Sequence, residues 1–117
     1  MERVVITGMG TVNPIGLTVA ETWKNVTNGV SGVGPITLFD SSPLLVHIAA
    51  EVKGFDPAKY MDAKEARRRD RFEQLTAVAA NEAIRSSGLA VTEENAGRIG
   101  VVISSAIGGL TVNRRFR

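Results

Sequence analysis

The sequence predicts an α/β domain with parallel strands. Three observations carry this. A short run of β-formers, Val4, Val5, Ile6 and Thr7, opens the chain and ends in a glycine turn. A second apolar run, "RIGVVISSAIGGL", lies near the other end and also ends in glycines. Between them sit two segments with helical periodicity, and strand–helix–helix–strand is the order of a parallel α/β unit.

Each element has its own warrant. Residues 3–7 read as a short buried strand, and "TVNPIG" reads as a loop, because Asn13 before Pro14 favours extended or turn geometry. Thr18 and Glu21 have capping-box spacing, and Val19, Trp23 and Val26 follow at i, i+4 and i+7. This predicts a helix from Thr18 that Gly29 stops. Residues 30–43 are loop-like, with Gly32, Gly34, Pro35 and Pro43. "LLVHIAAEV" at 44–52 has some strand character, and its class stays open. His47 lies within it; a lone His in such a run is more often a packed or partly exposed side chain than a ligand.

Asp62 with Glu65 signals a second helix start, and no Pro or Gly interrupts from there to Ser87. The spacing predicts one continuous helix that Gly88 ends. Phe72, Leu75, Ala79 and Ala83 form its apolar face, and the small residues of "TAVAANEA" let a neighbour approach closely. "TEEN" at 92–95 reads as a turn before the second strand, 98–104.

Composition narrows the function. The chain has 117 residues, 44% hydrophobic, 22% charged and 5% aromatic, with a formal net charge of +2. These are ordinary values for a soluble globular protein, and the charge is too small to argue for nucleic acid. Cysteine is absent, which excludes a disulfide framework, a thiolate metal site and a thiol nucleophile within this chain. A cytoplasmic location is compatible with that. No signal peptide is expected, and no apolar run nears the roughly 20 residues that span a bilayer.

The first glycine turn invites a dinucleotide reading, which needs G-x-G-x-x-G running straight into a helix. Gly8 and Gly10 supply two glycines, but Asn13 holds the third place and the helix signal waits until Thr18. A tight turn with close backbone packing is the favoured reading.

Lys64, Arg67, Arg68 and Arg71 are spaced i, i+3, i+4 and i+7 and would share one helical face. Spacing alone favours a solvated face. The sharper alternative is a docking patch for an acidic partner. DNA or RNA is a weaker candidate, because no aromatic residues are interleaved and no nucleic-acid motif is present. In the second glycine turn, "SSAIGG", Ile107 stands between small residues, which on spacing alone is a buried Ile at a tight turn.

"RVVITGMGTVNPIG", "TWKNVTNGVSGVGPITLFD", "FDPAKYMDAKEARRRDRF" and "VTEENAGRIGVVISSAIGGL" together resemble the beta-ketoacyl-[acyl-carrier-protein] synthases, the condensing enzymes of fatty-acid synthesis. The resemblance spans residues 3–110, and the charged "AKEARRRDRF" stretch is similar to the type II form. It implies the N-terminal part of a thiolase-like fold, a mixed sheet with helices packed on it, incomplete in this chain. Residues 3–7 and 98–104 would be its first two strands, and the first glycine turn would be a fold feature. Residues 1–110 would then be part of a synthase domain, while the tail 111–117, "TVNRRFR", departs from the family pattern.

The resemblance also implies chemistry. The family condenses an acyl thioester with malonyl-carrier, using a cysteine and two histidines that lie later in its chain than residue 117. No catalytic residue is therefore assigned here, His47 matches no catalytic motif, no cofactor or metal is implied, and the chain alone is expected to be inactive. Basic residues at the places of Lys64, Arg67 and Arg68 receive the acidic acyl carrier protein, and helical geometry extends that set to Arg71. The residue at Ile107's place lines the acyl-chain pocket near the interface of a homodimer, where a branched aliphatic leaves room for a long chain. The alternative function is a non-catalytic carrier-binding or interaction module built on the basic stripe.

Overall fold

A computed structural model describes residues 3–109; the tail 111–117 lies outside the described residues. The order is helix α1 (Val19–Thr27), strand β1 (Val33–Pro35), strand β2 (Ile48–Ala50), a 3₁₀ turn (Pro57–Lys59), helices α2 (Ala63–Arg68) and α3 (Arg71–Ser87), and a second 3₁₀ turn (Ala96–Arg98).

The first helix forms as its caps dictate. Thr18 Oγ1 accepts the Glu21 N–H at 3.2 Å. Glu21 does not complete the expected box, since its carboxylate accepts from the Leu17 N–H at 2.8 Å instead. The helix ends one residue before Asn28, and Gly29 follows at φ 67°.

The expected single helix from Asp62 to Ser87 is two helices. Asp62 caps α2 by accepting from the Lys64 and Glu65 N–H groups. Arg69 then turns extended, at φ −98° and ψ 138°. Asp70 starts α3 with a capping box, in which Glu73 accepts the Asp70 N–H at 2.9 Å. Local side-chain capping at Asp70 outcompetes continuation of the helix, although no Pro or Gly stands there. Gln74 Nε2 ties the two helices by donating to the Ala66 carbonyl oxygen at 2.8 Å. Gly88 ends α3 in the left-handed conformation, as expected.

The sheet differs from expectation. It has two strands and is antiparallel, with Val33 opposite Ala50 and Pro35 opposite Ile48. It therefore falls within the stretch read as loop and the stretch whose class was open. Residues 3–7 and 98–104, expected as buried strands, make no strand pairing among the described residues and, Ile99 apart, stand exposed. Val4 and Val102 are each 97% exposed. Three consecutive apolar residues in each segment are the composition of strands covered on both faces, and nothing in the described chain covers them.

The core is correspondingly small. Among the described residues only Phe55 and Val78 are buried hydrophobics. The Cα radius of gyration is 17.2 Å, against about 13 Å for a compact domain of this length.

Packing is organised by α3. A Cβ on Gly10 would stand 1.8 Å from the Ala79 carbonyl oxygen, and one on Gly8 would stand 2.3 Å from that of Ala83. The Gly8–Gly10 segment thus crosses the backbone of α3 at the small-residue face that the periodicity singled out. This close approach is the reason for the first glycine turn. Ser86 Oγ brackets Met9, accepting from its N–H and donating to its carbonyl oxygen, both at 3.0 Å.

Candidate functional site

Two places matter: the basic face of α2, and the second glycine turn against the start of α3.

On α2, Lys64, Arg67 and Arg68 are all exposed. Among the described residues the one ion pair is Arg69–Glu65, an i, i+4 pair beside the patch. The side chains of Lys64, Arg67 and Arg68 therefore hold no carboxylate partner there and project three positive charges into solvent. The helix is short, six residues, and is fixed by its Asp62 cap and by the Gln74 tie.

Arg71 does not share this face. The break at Arg69–Asp70 puts it on α3, where it is half-buried. Its Nη2 donates to the Val52 carbonyl oxygen at 3.0 Å, and its guanidinium lies 5.7 Å from the centre of the Phe55 ring. Phe55 in turn stacks on Tyr60, with centroids 5.6 Å apart. Arg71 thus joins the small core to the segment after β2, using its fork and its flat cationic face. A stripe that includes Arg71 needs an unbroken helix, and the chain breaks at Arg69. The signal was in the sequence: Asp70 and Glu73 have the spacing of a helix start inside the charged run.

Ile107 sits on the second glycine turn, 69% exposed. Residues 105–109 lie against Asp70, Arg71, Phe72 and Leu75 around a hollow of about 420 Å³. Gly108 makes this seating possible, since a Cβ there would stand 2.6 Å from Cζ of Phe72. Both glycine turns therefore rest on one face of α3, the second at Phe72 and the first at Ala79 and Ala83. Oδ2 of Asp70 is buried at this junction without a hydrogen-bond partner.

His47 is exposed, and its Nδ1 is 3.0 Å from the Ser41 carbonyl oxygen. That bond braces the arm between β1 and β2. No group of His, Asp and Glu that could hold a metal occurs among the described residues. No described helix is long and apolar enough to cross a membrane.

Sequence relatives and a solved structure show what the chain is similar to. The family model described as "Beta-ketoacyl synthase, N-terminal domain" matches residues 1–115. The 3-oxoacyl-[acyl-carrier-protein] synthase 2 of Staphylococcus aureus (strain COL) is 50% identical over 109 residues, covering 93% of this chain and 26% of that protein. The protein of the same name from Coxiella burnetii (strain RSA 493 / Nine Mile phase I) is 49% identical over 108 residues, covering 92% and 26%. Among solved structures, the ishigamide ketosynthase/chain length factor superposes with a TM-score of 0.67 at 33% identity, covering 78% of this chain and 22% of that one. The chain spans about a quarter of the length of the curated relatives it matches.

Proposed function

Because the chain belongs to the beta-ketoacyl synthase family, we propose that it supplies the N-terminal part of an enzyme that condenses an acyl thioester with malonyl-carrier in fatty-acid chain elongation. Its own contribution is the entry of the carrier. Lys64, Arg67 and Arg68 on α2 receive the acidic acyl carrier protein, and Ile107 contributes to the wall of the acyl pocket. The printed names of the relatives support the reaction class. The observation that carries the docking role is the exposure of three cations on one short helix without a carboxylate partner among the described residues. Such charges steer an acidic partner and set its register, at little cost to fold stability.

Arg71 is outside this surface, since its guanidinium is committed to Val52 and Phe55. A homodimer and a cytoplasmic location accompany the proposal as properties of the whole enzyme. The chain holds no Cys and a single His, so the covalent step belongs to residues outside it. A non-catalytic carrier-binding module would use the same α2 face.

The test is Arg67→Glu with Arg68→Glu in a full-length synthase carrying this segment. Carrier binding should weaken and its salt dependence should flatten, because fewer screened contacts remain. Helix content by circular dichroism should hold, since both side chains are solvated. Unchanged carrier affinity at low and moderate salt would reject the docking role and leave α2 as a solvated face.

A further inference from the structure

A second group of cations and donors lies farther along α3 than the glycine turn at Ile107. A hollow of about 490 Å³ opens between α3, the 3₁₀ turn after β2 and the start of α1. Lys59, Tyr60, Asn81 and Arg85 line it over an apolar floor of Leu17 and Val78. Val78 is one of the two buried hydrophobics of the described chain. The volume is within the range of small-molecule sites, roughly 300–1,000 Å³.

The four polar side chains are available. Lys59 and Arg85 are exposed and form no ion pair among the described residues. Neither they nor the side chains of Tyr60 and Asn81 donate a hydrogen bond within the described chain, whereas their neighbours are committed. Ser86 is engaged with Met9. Glu82, the one carboxylate in the lining, accepts from the Thr11 N–H with one oxygen and from the Val19 N–H with the other. Its charge is thereby aimed at backbone donors of two elements and away from the free cations. The lining still carries one net positive charge, counting Lys59, Arg85 and Glu82.

We propose that this hollow binds a small organic phosphate. The Arg85 fork and the Lys59 ammonium hold the phosphate oxygens, Tyr60 and Asn81 add neutral donors, and the organic part lies on Leu17 and Val78. Phosphate suits a forked guanidinium beside a point charge, and the apolar floor selects an ester over the free ion. The site is distinct from the carrier-docking face, whose cations are on α2, and it does not depend on that reading.

The experiment is titration of a full-length synthase carrying this segment, isotope-labelled within residues 1–117 and followed by amide shifts, with phenyl phosphate, inorganic phosphate and phenol as separate probes. Phenyl phosphate should shift the amides of residues 59–60 and 81–86 and saturate at about tenfold lower concentration than inorganic phosphate. Phenol should bind more weakly than phenyl phosphate. Lys59→Gln with Arg85→Gln should weaken phenyl phosphate by about tenfold or more, while Arg67→Glu with Arg68→Glu should leave it unchanged. Arg85→Lys, a milder change, should fall between wild type and the double variant. Shifts that never saturate, or a double variant that binds like wild type, would overturn the proposal. So would an equal loss in the α2 variant, which would mean diffuse attraction of anions to any basic surface.

Discussion

Gly10 lies against Ala79 so closely that a Cβ on the glycine would stand 1.8 Å from the alanine's carbonyl oxygen. A backbone atom cannot rotate away as a side chain can. Gly10→Ala must therefore lift the first segment off α3. It should destabilise a full-length synthase carrying this segment by about 1–3 kcal/mol, the usual cost of overpacking. Gly97→Ala is the control, because nothing lies within 4 Å of a Cβ there. Thermal or urea melts followed by circular dichroism compare the two. Equal stability of both variants would show that the Gly8–Gly10 segment does not pack on α3.

The arm between β1 and β2 carries a pH-sensitive clasp. Glu51 accepts from the Thr37 hydroxyl at 2.7 Å and from the Thr37 and Leu38 N–H groups at 3.1 and 3.2 Å. The Thr37 hydroxyl, foremost, holds the carboxyl below the ordinary glutamate range, with smaller help from backbone donors and Lys53 and some opposition from desolvation. A depressed folded-state value means the clasp is fully present above the unfolded-state pKa and is lost as pH falls through the folded one. The amide proton shift of Thr37 should titrate with its midpoint below the usual glutamate value, and Glu51→Gln should abolish that titration. A midpoint at or above the ordinary value would remove the clasp.

The apolar runs 4–6 and 101–103 give a third expectation. They lack both strand partners and a covering layer among the described residues, and exposed edges with apolar faces self-associate. The isolated chain should bind a dye of exposed apolar surface and form oligomers at micromolar concentration. A monodisperse monomer with a sharp cooperative melt contradicts this.

The isolated chain should also fail to condense. Covalent acyl transfer needs an activated nucleophile with a base in reach, and no Cys occurs in 117 residues. The single His is an exposed brace of the β1–β2 arm. Labelled acyl-carrier and malonyl-carrier, with product analysis, provide the assay. Ketoacyl product above a no-enzyme blank would refute the expectation.

Sequence by itself determined the parts whose physics is local. The Thr18 cap, the Gly88 stop and the apolar face through Phe72, Leu75, Ala79 and Ala83 are legible because capping and helical period act over a few residues. Exposure of Lys64, Arg67 and Arg68 follows from the same period. Family membership was legible from four motifs, since together they cover nearly the whole chain.

Tertiary structure decided what depends on distant partners. Asp70 could extend one helix or cap the next, and the ties from Arg71 to Val52 and from Gln74 to Ala66 accompany the break. That break removed Arg71 from the basic face. Gly8 and Gly10 read as a tight turn with close backbone packing, and the structure supplies the neighbour, the backbone of α3 at Ala79 and Ala83. Residues 4–6 and 101–103 have the composition of buried strands, but a strand exists only when another backbone accepts its hydrogen bonds. No described segment does so, and composition cannot supply the neighbour.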